Sequence, residues 1–201
     1  MDTTSEAQQQ VNSDQETLKA YFSQVGFDQT DSEQIAQCFT KRSFDKGQYF
    51  VEEGKNSSQL GFVETGQFQY YSISEKGEER TTYISLPSTF VASLLPYLTG
   101  TPARENIRAL TPSTLWVIEK KEVEALQNQM TGFKDFYVKL LEWQICCIDK
   151  AKFDLITLSA DERYEKLLKD EPELLQQVPL QYIASMLGIT PRHLSRLRRK
   201  S

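Results

Sequence analysis

The chain has one histidine, His193, in 201 residues. Metal-dependent enzymes on glycine-punctuated β-barrels usually gather two or three histidines with a carboxylate, so that class is excluded by supply. Cysteine is nearly as scarce. Cys38, Cys146 and Cys147 are an odd, unevenly spaced set. A secreted disulfide framework uses an even, spaced one, and cluster ligation usually takes four thiolates. The three are expected to be buried free thiols in a reducing compartment. No apolar run approaches the roughly 20 residues that a membrane helix needs. The opening MDTTSEAQQQ has neither the basic nor the apolar part of a secretion signal. Nucleophile constellations and phosphate-cradling glycine loops are also missing. A cytoplasmic protein that is not an enzyme and does not contact membranes is the expectation.

Hydrophobic residues make up 39% and charged residues 25% of the chain, the balance of an ordinary globular protein. The length allows one full domain and a smaller second unit. Charge is unevenly spread. The ending GITPRHLSRLRRK holds Arg192, Arg196, Arg198, Arg199 and Lys200 and no acid, within a chain of net charge -5. That end has a different electrostatic task from the rest.

Residues 1–15 are polar and aperiodic, the composition of a disordered tail. From Glu16, Leu18, Phe22, Val25, Ile35 and Phe39 recur at helical intervals, with Asp31 placed to cap a second short helix. Between Phe44 and Trp116 the runs QYFVE, LGFVET, QFQYYSIS and ERTTYISL alternate with turns at Lys46-Gly47, Glu53-Gly54, Thr65-Gly66 and Lys76-Gly77. Two further strands are expected at Ile107–Leu110 and Thr114–Ile118. Short strands and glycine turns of this kind predict antiparallel sheets closed into a roll, here within residues 16–130.

Glycine and proline then all but vanish: from Lys120 to Leu158 only Gly132 remains. Phe133, Phe136, Leu140, Trp143 and Cys147 step by 3 and 4, with a second stripe through Tyr137, Leu141, Ile145, Ile148 and Leu155. One stripe can cover the β unit while the other meets a twin, so residues 131–158 are expected to be a homodimerisation helix. Ser159 and Glu162 form a capping box that opens a last module, residues 159–201, with Tyr164, Leu167 and Leu168 on its inner face.

Counted from Leu180, Ala184 is fifth, Gly188 ninth, and Leu194 and Leu197 fifteenth and eighteenth. Two short helices crossing at a tight turn need this spacing: a small residue at the crossing, a glycine at the turn, and leucines facing Ile183 and Leu187. Thr190 caps the second helix and Pro191 fits its first turn. With the leucines inward, Arg192, Arg196 and Arg199 share the outward face that a recognition helix lays in the major groove. The candidate DNA-contacting set is Thr190, Arg192, His193, Ser195, Arg196, Arg199 and Lys200.

A β-roll, a long helix and a terminal helix-turn-helix, in that order, resemble the Crp/Fnr family of bacterial transcription regulators, and SADERYEKLLKDEPELLQQVPLQYIASMLGITPRHLSRLRRK resembles the ending of its short Bacteroidetes members. The resemblance implies an α+β fold, a cyclic-nucleotide-binding-like antiparallel β-roll with flanking helices and a helical DNA-binding domain. It also implies a homodimer, an effector pocket inside the roll, and action at promoters through RNA polymerase. In cyclic-nucleotide-binding members a Phe-Gly-Glu segment holds the ribose and an arginine holds the phosphate. Here Phe90 is followed by Val91-Ala92-Ser93, and the arginine position falls on Ala103, with Arg104 next to it. Phe90, Ser93 and Arg104 are the candidate pocket residues, and no cofactor is expected. The alternative is a cyclic-nucleotide-responsive sensor that signals to a protein partner.

Overall fold

The computed structural model describes residues 15–199. Helix α1 (Glu16–Gln24) buries Leu18 and Phe22 one turn apart, and α2 (Gln29–Gln37) buries Ile35 and Ala36. The cap of α2 is Asp28 rather than Asp31: the Asp28 carboxylate accepts the Asp31 amide at 2.8 Å. Gln15 is buried, and its side-chain amide donates to the Ala36 carbonyl at 2.9 Å, tying the start of α1 to α2.

Eight strands follow: β1 (Thr40–Phe44), β2 (Tyr49–Val51), β3 (Gln59–Thr65), β4 (Phe68–Ile73), β5 (Glu79–Ser85), β6 (Phe90–Val91), β7 (Asn106–Ala109) and β8 (Ser113–Glu119). They form two antiparallel four-stranded sheets, β1-β8-β3-β6 and β2-β7-β4-β5. β1 escapes the sequence pattern because four of its five residues are exposed, although it pairs with β8 along its whole length. Between β6 and β7 lies a short helix, α3 (Leu94–Thr99), which the sequence reading also lacks.

Strand alternation sorts the side chains into three apolar layers. Along β8, Leu115 and Val117 point between the sheets, where they join Phe44, Val51, Val63, Phe68, Val91 and Ile107. Trp116 and Ile118 point outward and pack with Phe62 under α1, α2 and the helices that follow. Ile84 and Leu110 point out of the other sheet, onto the C-terminal module.

The helical pattern from Lys120 to Leu158 is two helices, α4 (Lys120–Gln129) and α5 (Thr131–Thr157), broken at Met130, whose backbone is extended. No proline or glycine stands at Met130 to announce that break. On α5 the expected division into two side-by-side stripes gives way to a division by length. Phe133, Phe136, Tyr137 and Leu141 pack on the roll, whereas Trp143, Ile145, Ile148, Phe153, Leu155 and Ile156 are exposed. The cysteines are corrected as well: Cys146 is exposed, and Cys38 and Cys147 are half-buried.

The C-terminal module comprises α6 (Ala160–Asp170), α7 (Pro172–Gln177), α8 (Leu180–Met186) and α9 (Pro191–Arg198). The capping box opens α6: the Ser159 hydroxyl accepts from the Glu162 amide, and the Glu162 carboxylate accepts from the Ser159 amide. Tyr164 and Leu167 are buried on its inner face, but Leu168 is turned out to solvent.

Candidate nucleic-acid interface and sensor pocket

The α8–α9 pair is built by local signals. Ala184 is fully buried where the helices cross, and Ile183, Leu187, Leu194 and Leu197 close around it. Gly188 adopts φ 69°. Its amide donates to the Ser185 carbonyl at 3.0 Å, and the Ile189 amide to the Ala184 carbonyl at 2.9 Å, so α8 ends in a Schellman motif. The Thr190 hydroxyl then accepts the His193 amide at 3.2 Å, with Pro191 at the first position of α9.

Burying Leu194 and Leu197 leaves Arg192, Ser195, Arg196 and Arg199 on one exposed face. The structure thus brings four of the seven candidate residues together. Thr190 is occupied as a cap. His193 leans on α6, with Nε2 3.3 Å from Asp161 Oδ1. Lys200 lies outside the described residues. Arg198 is exposed but reaches back to donate to the Leu175 carbonyl at 3.0 Å.

The three candidate pocket residues do not meet. The Phe90 ring joins an aromatic cluster on the outer side of its sheet, 5.5 Å from Tyr21, 5.4 Å from Phe62 and 6.2 Å from Phe136. Arg104 is exposed, and its carbonyl accepts from the Ser72 hydroxyl. Ser93 is buried and donates to the Glu105 carboxylate at 3.0 Å. Beside them the Tyr70 hydroxyl accepts the Ala92 amide at 3.1 Å. Burial pushes the Tyr70 phenol far above its usual range and raises the Glu105 carboxyl, which the Ser93 bond only partly offsets. The space between the sheets is occupied by the rings of Phe44, Phe50 and Phe68, packed edge to face. Glu105 escapes a sequence reading centred on a phosphate-binding cation. It stands next to Arg104, in ARENIR.

Residues 41–130 match the family described as Cyclic nucleotide-binding domain. FixK2 from Bradyrhizobium japonicum superposes with a TM-score of 0.70 at 16% identity, covering 81% of this chain and 83% of that one. The chain has a Crp/Fnr fold. The c-di-GMP responsive global regulator CLP of Xanthomonas campestris gives a TM-score of 0.66 at 16% identity, over 86% of this chain and 91% of its own. Thermus thermophilus catabolite activator protein gives 0.57 at 18% identity, over 87% and 84%. No curated protein matches the sequence significantly. Among the described residues, no helix is long and apolar enough to cross a membrane, and no group of three or more His, Cys, Asp or Glu could hold a metal ion.

Within this Crp/Fnr fold, the interior carries a half-desolvated carboxylate at the segment where the resemblance implies a phosphate site. Glu105 also gives a pH signature. Its folded value is raised, so the folded state holds the proton more tightly than the unfolded chain. That contribution to stability is complete below the ordinary carboxyl value and is lost as pH rises through the raised one. Glu105→Gln is therefore expected to gain stability over the wild type as pH rises through that window. Urea unfolding at about pH 4 and about pH 7 checks it; an advantage that does not grow with pH contradicts the assignment.

Proposed function

We propose that the chain is a homodimeric, sequence-specific DNA-binding transcription regulator of the Crp/Fnr type, whose β-roll senses something other than a cyclic nucleotide. The observation that carries the reading is the α9 surface. Arg192, Ser195, Arg196 and Arg199 face solvent together while Leu194 and Leu197 anchor the helix from behind. Arginine pairs with guanine O6 and N7 in the major groove, and the remaining cations and hydroxyls meet phosphates. The rest of the chain is acidic, which discourages indiscriminate wrapping of DNA.

Charge and space both disfavour a cyclic nucleotide. Glu105 would face a buried phosphate with like charge, Arg104 points to solvent, and aromatic rings occupy the interior. The test is selection of duplexes from a random library by the purified full chain, with and without cyclic AMP. A palindrome of two half-sites about one helical turn apart, enriched equally in both arms, supports the proposal. Enrichment only with the nucleotide overturns the sensor part, and no enrichment overturns DNA reading.

Arg196→Ala is expected to reduce preference for the selected palindrome over random duplex by roughly 10- to 100-fold, the range for one bidentate base contact. Bulk affinity at low salt should change far less. An equal loss on both duplexes would make Arg196 a phosphate contact.

A further inference from the structure

The first helix of the α8–α9 pair, on which the recognition helix α9 is folded, is held from two sides, and one of them is the sensor sheet itself. On the hinge side, Arg163 of α6 bridges the end of α5 to the end of α8, donating to the Leu158 carbonyl at 2.5 Å and the Leu187 carbonyl at 2.8 Å. On the other side, α8 lies against β5, the edge strand of its sheet. The Thr81 amide of β5 donates to the Ser185 hydroxyl at 2.9 Å, and that hydroxyl donates back to the Glu79 carbonyl at 3.4 Å. Ser185 thus answers an N–H and a C=O of an edge strand as a neighbouring strand would.

A polar network underlies this contact. The Thr81 hydroxyl accepts from Gln69 at 2.8 Å, the Gln69 carbonyl oxygen accepts from Arg108 at 3.1 Å, and Arg108 forks onto the Glu79 carboxylate. Arg108 also lies 4.4 Å from the Tyr71 ring centroid. Gln67 reaches across to the Gln177 carbonyl at 3.1 Å, and Ile84, Leu86 and Leu110 supply the apolar part of the seat. The three hydrogen bonds from Ser185 and Gln67 across the seat each join a side chain to a backbone group, so the contact fixes direction and distance as well as burying surface.

We propose that Ser185 is a positioning residue for DNA reading. By seating α8 on the edge of the sensor sheet it sets the direction and spacing of the two recognition helices in the dimer, and so couples the β-roll to DNA without passing through α5. This rests on the DNA-binding reading above. Ser185 lies on α8, away from the outward face of α9, so its loss leaves the contacting arginines in place.

The experiment is Ser185→Ala in the full-length chain, read by amide hydrogen exchange at Thr81 and by duplex selection with variable separation between half-sites. Faster exchange at Thr81, unchanged low-salt affinity for random duplex, and half-sites selected at relaxed separations support the proposal. A merely structural role would weaken specific and random binding together and leave the selected separation fixed. Unchanged exchange overturns the seat, and faster exchange with a fixed separation overturns the positioning role. If the wild type selects no palindrome, DNA reading itself has failed and the positioning role falls with it. Exchange at Thr81 still reports separately whether the seat exists.

Discussion

Gly66→Ala should lower the unfolding free energy by about 3 to 5 kcal/mol, from left-handed strain and overpacking together. Gly66 makes the turn between β3 and β4 at φ 86°. A Cβ there would stand 2.0 Å from Ser113 Oγ, 2.5 Å from its Cβ and 2.7 Å from its backbone Cα. Ser113 cannot simply swing away. Its hydroxyl accepts the Gln67 amide at 3.2 Å and donates to the Thr111 carbonyl at 2.7 Å, stitching the β3–β4 turn to the β7–β8 turn. At roughly 2 to 4 °C per kcal/mol for a chain of this size, the melting temperature should fall by about 10 °C. Gly77→Ala is the control: Gly77 also has positive φ, at 77°, but a Cβ there meets nothing within 4 Å. It should cost about 1 kcal/mol, the strain alone. Equal melting temperatures for the two variants would show that the Ser113 collision carries no weight. Adding Ser113→Gly to Gly66→Ala should recover only part of the loss, because the backbone Cα remains in the way.

Which features were legible in the sequence follows from where each one's information is stored. The helix-turn-helix depends on contacts between residues a few positions apart: Ala184 at the crossing, Gly188 in its left-handed turn, Thr190 as cap. Such signals survive in a single sequence because each residue does its work on its neighbours. β1 carries no such signal. Thr40–Phe44 is a strand because β8 lies beside it, and its exposed polar side chains leave no alternation to read. The pocket is a different case. Phe90 has the position expected from the resemblance, but the aromatic residues of α1 and α5 draw its ring to the outer side of the sheet. Position along the chain says nothing of which neighbours compete for a side chain. Glu105 and Tyr70 are brought together from segments 35 residues apart, and their shared burial exists only once the roll has closed.

The second large effect is expected on α5. Beyond Leu141 this helix buries no side chain fully, and it keeps Ile145, Ile148, Leu155 and Ile156 exposed at 60%, 50%, 57% and 74%. Val138, Leu141, Ile145, Ile148, Lys152 and Leu155 step alternately by 3 and 4, the seam spacing of a two-stranded coiled coil with one polar position, which makes them the seam of the proposed dimer. Ile148→Asp puts a carboxylate in the middle of that spacing while leaving the buried core clusters untouched, since Ile148 belongs to none of them. Analytical ultracentrifugation at micromolar concentration should find monomers, with helix content by circular dichroism unchanged. Affinity for the palindrome should fall by on the order of 100-fold or more, because two linked reading heads lose their mutual effective concentration, while affinity for an isolated half-site stays the same. A variant that remains dimeric would place the subunit contact elsewhere and leave this apolar face for another partner. Lys152 supplies the converse test. In the proposed dimer two Lys152 ammonium groups would meet in the seam, weakening it while fixing its register. Lys152→Leu should therefore tighten the dimer without tightening the grip of a single head on its half-site, which separates the strength of pairing from the chemistry of reading.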